Sequence, residues 1–151
     1  MKGREQNVLI SIRGTQQDDD GQDQTMELTT TGTLRREAGA VCLTYVETEM
    51  TGMEGVRTTF RIEDRRAVMV REGELQSTMT FVEGDRSESL YDLGFAAFLL
   101  RVTSRRVRSC VGDSEGWLEL RYSVEMEGRL VANHDYRIEY HLLEGPEKAD
   151  G

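Results

Sequence analysis

Apolar and polar residues alternate with a period of two over most of this chain, and this pattern constrains its fold more than any other feature. In the longest run, one face carries Leu130, Ala132, His134, Tyr136, Ile138, Tyr140 and Leu142. Successive side chains of a β-strand point to opposite faces, so such a run predicts a strand with one buried face. Apolar residues with helical spacing are missing, and Thr, Val and aromatic residues are frequent in the alternating runs. An all-β fold is therefore expected.

Turn-forming residues separate the alternating runs at short intervals, as hairpins require. The predicted strands are 8–14, 25–36, 40–49, 56–63, 66–72, 75–82, 86–92, 95–109, 116–126 and 129–143. Consecutive hairpins favour a meander, either rolled into a barrel or folded as a sandwich. Because closure removes exposed strand edges, we expect a single closed antiparallel β-barrel of about 8–10 strands over residues 7–143, with flexible termini at 1–6 and 144–151.

Two local features of the predicted barrel depart from simple alternation. In the strand 95–109 the apolar residues switch from even-numbered positions, up to Val102, to odd-numbered positions, from Val107. This switch predicts a β-bulge or corner near Thr103 and Ser104. Trp117 follows a glycine at the start of a strand, and we expect it to lie in the core or to plug one end of the barrel.

The chain is acidic, with 28 acidic against 19 basic residues and a formal net charge of -9. Nucleic-acid binding rests on a basic face, so DNA and RNA are not expected partners. One basic cluster comprises Arg101, Arg105, Arg106 and Arg108. Such a cluster either binds a small anion or, more commonly, pairs with acidic neighbours.

The sequence predicts a cytoplasmic protein that does not contact membranes. It lacks an apolar run of roughly 18 residues, which a membrane-spanning helix needs, and its first residues lack the apolar core of a signal peptide. Cys42 and Cys110 do not form a CxxC pair, and we interpret both as reduced, small apolar side chains.

Signatures of known catalytic and metal sites are missing from the sequence. We find no GxSxG elbow, no phosphate-binding glycine loop, no HExxH and no CxxC. The acidic loop 16–23 matches an EF-hand only in part, because Gln16 stands where the first carboxylate is needed. A solvated hairpin loop is favoured there over a calcium site. We therefore predict no catalytic residue, no metal and no cofactor.

Two glutamates in the strand 40–49 occupy odd-numbered positions, which are the positions whose apolar side chains are expected to face the interior. If this strand stays regular, Glu47 and Glu49 point to the interior, where a carboxylate needs a partner or a shifted pKa. If the strand instead leaves the core at the glycine-bearing turn 50–55, both side chains lie at the rim. His134 has inward parity too, and is interpreted either as a hydrogen-bonded interior histidine or as a base or ligand.

A barrel of this size is either filled by its own side chains or holds one small ligand. Bulky inward residues are expected to pack one end, while smaller or polar ones line a pocket at the other. The candidate ligand-binding residues are Tyr45, Glu47, Thr58, Ser77, Tyr122, His134 and Tyr136. Binding of a small amphipathic molecule is the favoured function. The alternatives are an interaction or scaffold barrel with a filled interior, for example a homodimer, and an enzyme that uses Glu47 or His134.

Several segments together resemble the YwiB-like family of uncharacterised bacterial proteins. They are Val8–Gly14, Tyr45–Gly55 followed by Thr58 and Thr59, Ser77–Met79 with Phe81, and Gly116–Tyr122 with Gly128. The segment from Tyr45 to Gly55 is the most specific of these. The resemblance covers about residues 7 to 143 and implies a calycin-like, lipocalin-like antiparallel barrel in a cytosolic protein. It implies no activity and no catalytic residues.

Overall fold

Ten antiparallel strands close into one barrel in the computed structural model, which describes residues 5–143. The strands are β1 (Glu5–Asp18), β2 (Asp23–Glu37), β3 (Ala40–Val46), β4 (Arg57–Glu63), β5 (Arg66–Glu72), β6 (Gln76–Val82), β7 (Arg86–Asp92), β8 (Ala97–Val111), β9 (Glu115–Met126) and β10 (Arg129–Leu142). Each strand pairs with its neighbour in the chain, and β1 pairs with β10 to close the sheet. The predicted closed antiparallel meander is confirmed.

The first strand starts earlier than the sequence indicated. Glu5 and Gln6, which were expected in a flexible terminus, pair with Arg35 and Leu34 of β2. The hairpin between β1 and β2 is also tighter than expected, since the two strands continue to Asp18 and resume at Asp23. The remaining parts of the expected flexible termini, residues 1–4 and 144–151, lie outside the described residues.

The third strand ends at Val46, three residues before its predicted end. A short 3-10 helix, Glu49–Thr51, follows, with Thr48 as its N-cap and Gly52 at φ 77° as its C-cap. The turn is bridged by backbone hydrogen bonds from Glu47 N to Val56 O and from Gly55 N to Glu47 O. Glu47 is therefore held as in a strand, while Glu49 lies on the exposed helix.

The predicted irregularity in β8 is present, and the pairing register with β9 shifts between Ser104 and Arg106. The pairing of β6 with β7 is thin, with only two register pairs, Gln76 with Asp92 and Ser77 with Tyr91. The turn between these strands is held by β8 instead.

Glu83 makes that attachment. Its carboxylate accepts hydrogen bonds from Arg108 at 2.9 and 3.1 Å and from the backbone N–H of Val107 at 2.9 Å. The Arg108 guanidinium, with help from the Val107 N–H, lowers the pKa of Glu83 to about 2.

One end of the barrel, which we call the closed end, is filled by apolar side chains. Its fully buried members include Val8, Ile10, Leu34, Leu43, Phe60, Ile62, Phe81, Val107, Leu118, Ile138 and Tyr140. Gly116 makes room for Tyr140, because a Cβ at Gly116 would lie 2.6 Å from the Tyr140 hydroxyl and from the carbonyl of Cys110. The same hydroxyl donates to the carbonyl of Gly112 at 3.1 Å.

The expectation that Trp117 lies in the core or plugs the barrel is wrong. It stands between the buried residues Gly116 and Leu118, so its parity places it on the outer wall. There the guanidinium of Arg137 covers the indole at 4.7 Å from the ring centroid.

Ion pairs cover much of the outer wall. Of the arginine cluster in β8, Arg101 and Arg106 lie 3.7 and 3.3 Å from carboxylates of neighbouring strands, and Arg108 lies 2.9 Å from Glu83 in the turn between β6 and β7. Solvent-exposed pairs of this kind contribute little to stability. Pairing with acidic neighbours therefore accounts for most of this cluster.

The two cysteines are free thiols, with Cys42 buried and Cys110 exposed. The interpretation of both as small apolar side chains therefore fits Cys42 alone. Within residues 5–143 no helix is long and apolar enough to cross a membrane.

Candidate functional site

We call the opposite end of the barrel the open end. It contains a cavity of about 750 Å³. Its wall is built from the C-terminal part of β1, the first residues of β2 and β8, and the facing parts of β5, β6, β9 and β10. The 3-10 turn between β3 and β4 lies along the mouth. The volume is in the range of pockets that hold one small organic ligand.

Methionines dominate the apolar lining of this cavity. The chain has seven methionines, and six line the cavity, namely Met26, Met50, Met53, Met69, Met79 and Met126. Methionine is unbranched and polarisable, so it adapts its shape to different apolar partners. None of the four isoleucines, which are all buried, lines the cavity.

Glu47 is a buried carboxylate at the side of the cavity. Its side chain is 1% exposed, and its Oε2 accepts a hydrogen bond of 2.6 Å from the Thr58 hydroxyl. Its Oε1 has no hydrogen-bond partner among the described residues. Of the two alternatives for the end of this strand, each applies to one residue: Glu47 is buried as in a regular strand, whereas Glu49 is exposed because the strand has ended.

Arg71 was not recognised from the sequence, although it is the positive charge of the cavity. It lines the cavity with 13% of its side chain exposed, and its Nε lies 4.0 Å from Oε2 of Glu47. At that separation the two groups form an ion pair, but the distance is too long for a hydrogen bond. The signal that was available is parity, since Ala67 and Met69 of the same strand are buried and Arg71 continues their series.

Four of the polar residues lie in one row across adjacent strands. Tyr45 pairs with Thr58, Thr58 with Arg71, and Arg71 with Ser77. Directly opposed side chains on one face of a sheet lie close together. The row contains three buried polar atoms without a hydrogen-bond partner among the described residues, the Tyr45 hydroxyl, Arg71 Nε and the Ser77 hydroxyl.

An aromatic wall faces this row from β9 and β10. The imidazole of His134 stacks on Tyr122 with centroids 4.7 Å apart and planes at 11°, and Phe81 contacts the same tyrosine at 4.7 Å. Burial, with the positive charge of Arg71, lowers the pKa of His134 to about 4. The imidazole is therefore neutral at pH 7.

The buried tyrosines also remain neutral. Burial is the main cause that raises the pKa of Tyr45, Tyr122 and Tyr136 above the ordinary value of 10.0. Besides these neutral rings, the cavity lining contains the Glu47 and Arg71 side chains, which form a salt bridge.

The structure brings the seven sequence-predicted candidates into one region. Glu47, Tyr122, His134 and Tyr136 line the cavity itself. Tyr45, Thr58 and Ser77 do not line it and are buried in the adjoining wall.

In the acidic hairpin next to the cavity, one carboxylate forms hydrogen bonds with the backbone of its own turn. Asp18, Asp19 and Asp20 have carboxylate oxygens within 4.8 Å of one another. One oxygen of Asp18 accepts hydrogen bonds from the backbone N–H groups of Asp20 and Gln22, at 3.0 and 2.9 Å. This arrangement is an Asx-type turn.

Comparison with known proteins supports the family resemblance. The family described as "Domain of unknown function (DUF1934)" matches residues 10–138. The "Uncharacterized beta-barrel protein YwiB" of Bacillus subtilis (strain 168) is 23% identical over 123 residues, which are 82% of this chain and 85% of that protein. The crystal structure of the ywiB protein from Bacillus subtilis shares the fold, with a TM-score of 0.83 at 20% identity over 93% of this chain and 94% of that one. This chain belongs to the DUF1934 family of β-barrel proteins.

Proposed function

We propose that this protein binds a small amphipathic molecule inside the open end of the barrel. The observation that carries the proposal is the cavity of about 750 Å³, which is lined by six methionines and by a single buried ion pair, Glu47 and Arg71. Binding pockets for small molecules are typically apolar concavities with a few converging polar groups.

The cost of the polar groups supports the same proposal. A buried polar atom without a hydrogen bond lowers the free energy of unfolding, whereas a packed apolar group in its place would not. The cavity and its wall contain several such atoms, including Glu47 Oε1, Arg71 Nε and the Ser77 hydroxyl. A ligand with a polar group at one end compensates part of this cost.

We further propose that binding takes place in the cytoplasm. Both cysteines are free, including the exposed Cys110, and free thiols are typical of reducing compartments.

Fluorescence titration with N-phenylnaphthylamine, a neutral apolar dye that brightens in apolar surroundings, tests the binding proposal. We expect saturable binding of one dye per barrel. A variant that narrows the cavity, Met26→Trp with Ala132→Trp, is expected to weaken dye binding at least about tenfold, because both side chains line the cavity.

The matched control is Glu27→Trp with Asp135→Trp. These positions lie on β2 and β10 as well, but their side chains are on the outer wall and are 73% and 58% exposed. The control should bind the dye as the natural protein does, and thermal unfolding shows that each variant is folded. Equal affinity in both variants, or no saturable binding by the natural protein, contradicts the proposal.

A homodimer is a second candidate, because one hairpin exposes apolar side chains. Leu90 and Leu99 are cross-strand partners on β7 and β8 and are 55% and 56% exposed, and Phe95 in the connecting turn is 89% exposed. Exposed apolar clusters mark interaction sites. Light scattering on the natural protein and on Leu99→Glu tests this, since a dimer built on the hairpin becomes monomeric in the variant and a strict monomer contradicts it.

A further inference from the structure

The guanidinium of Arg71 is the one cationic group of the cavity lining, and the protein leaves it incompletely satisfied. Its Nε is buried and has no hydrogen-bond partner in the range 5–143, while the side chain still lines the cavity. A guanidinium has five N–H donors and no acceptor. The polar end of a ligand that satisfies it must therefore consist of acceptor atoms.

Glu47 does not fill this role. Its Oε2 is 4.0 Å from Arg71 Nε and takes its hydrogen bond from Thr58 instead. Its side chain is 1% exposed against 13% for Arg71. The guanidinium is therefore more accessible to a molecule in the cavity than the carboxylate is.

The charges of the lining distinguish between anionic groups. Glu47 and Arg71 cancel, and His134 is neutral at pH 7 because its pKa is about 4. A bound carboxylate leaves the site with a charge of about -1, and a phosphate dianion leaves about -2 beside the buried Glu47. Since a buried excess of like charge is costly, the lining favours a carboxylate over a phosphate dianion. The charge-assisted hydrogen bonds that a carboxylate accepts from the guanidinium offset its single excess charge.

The remaining lining determines the rest of the ligand. Apart from Glu47 and Arg71 the lining offers no charge. It combines methionines, Phe98, Leu100 and Val124 with neutral polar side chains such as Gln16, Gln24 and Thr51. Such a wall contacts an apolar body and excludes a second charged group.

We propose that the ligand of this barrel is a monoanionic carboxylate with an apolar body, whose carboxylate contacts the Arg71 guanidinium while the body lies among the methionines. This inference rests on the proposed function, because it assumes that the cavity binds a small molecule at all.

Displacement of bound N-phenylnaphthylamine by a matched series of twelve-carbon compounds tests the inference on the natural protein. Dodecanoate, dodecanol and dodecylamine share one chain and differ in the charge of the head group. At pH 7, below micelle formation, we expect dodecanoate to bind at least about tenfold more tightly than dodecanol, and dodecylamine to bind most weakly. Dodecyl phosphate is expected to bind less tightly than dodecanoate.

The variant Arg71→Met assigns the effect to the guanidinium. It replaces the cation by the side chain that already dominates the lining, and the measured quantity is the ratio of the dodecanoate and dodecanol affinities within one variant. We expect this ratio to fall to one or below, because the remaining Glu47 carboxylate repels dodecanoate. In Arg71→Lys, which keeps the charge and loses the bidentate geometry, the ratio should fall in part. In the control Arg121→Met, on the outer wall, it should not change.

The outcomes separate the two proposals. If the dye does not bind, the proposed function fails. If the dye binds but the natural protein prefers dodecanol or dodecylamine, or Arg71→Met keeps the preference for dodecanoate, the carboxylate inference alone fails. Tighter binding of dodecyl phosphate than of dodecanoate also overturns it. Because the preference is measured first on the natural protein, a variant that does not fold leaves the inference testable.

Discussion

The two ends of this barrel contain different kinds of apolar residue. All four isoleucines are buried away from the cavity, whereas six of the seven methionines line it. Isoleucine is stiff at χ1 and packs in few ways, while methionine has several rotatable bonds and fills irregular space. One barrel thus combines an end that specifies a single packing with an end that tolerates change.

The difference extends to polar groups. At the closed end the Tyr140 hydroxyl has a defined acceptor, the Gly112 carbonyl. At the open end Glu47, Arg71 and Ser77 keep buried atoms without partners among the described residues. Since such atoms cost stability unless a partner is supplied, we infer that the closed end supplies more of the stability, and the proposed ligand would supply the missing partners at the open end.

Truncating one apolar side chain at each end gives the largest expected effect. Leu118 is fully buried at the closed end, so Leu118→Ala leaves a new cavity and should reduce the free energy of unfolding by about 3–4 kcal/mol. Met126 already borders open space, and Met126→Ala should cost only about 1 kcal/mol. Urea denaturation of both variants measures this. Equal losses would remove the distinction between the ends.

The open end should also dominate the loss of stability in weak acid. Because the pKa of His134 falls from 6.5 to about 4 on folding, the unfolded chain binds a proton between these pH values that the folded protein does not bind. Stability must then decrease as the pH falls from about 6.5 to about 4, by about 2–3 kcal/mol for this group.

The variant His134→Phe isolates that contribution, because it keeps a ring against Tyr122 and does not titrate. We expect the difference in unfolding free energy between the natural protein and the variant to change across this pH window and to be constant above pH 7. A difference that stays constant from pH 7 to pH 4 is the contrary result.

A smaller effect is expected from the hydrogen bond that holds Glu47. The variant Thr58→Val keeps the shape of the side chain but removes the 2.6 Å hydrogen bond to the buried carboxylate, which should cost about 2 kcal/mol. Its neighbour Thr59 shares a 3.0 Å hydroxyl contact with Thr44 at a partly exposed site. Thermal unfolding of Thr59→Val should show less than about half of that loss, since water replaces the contact; similar losses would contradict the account.

The closed end is the part that sequence reasoning predicts well. Alternation in a strand with one buried face is strong, so strands such as β4, β5 and β7 have nearly the predicted bounds. A single residue between two buried neighbours, such as Trp117, is placed on the outer wall by alternation as well, although its residue type favours the interior.

The open end is harder to predict because its residues break the rules of packing. Glu47 lies beyond the end of β3 and is held inward by backbone hydrogen bonds across the turn and by the Thr58 hydroxyl. Met50 and Met53 reach the cavity from an irregular segment that has no period. Arg71 had the parity of a buried residue, and its charge argued against the interior.

The central claim is that ligand binding is confined to the methionine-lined end, and methyl NMR tests it most directly. With methionine and isoleucine methyl groups labelled, titration with dodecanoate should move the signals of Met26, Met69, Met79 and Met126 in a saturable way. The signals of Ile10, Ile12, Ile62 and Ile138 should stay in place. Isoleucine signals that move as far as the methionine signals, or methionine signals that do not move, would contradict the account.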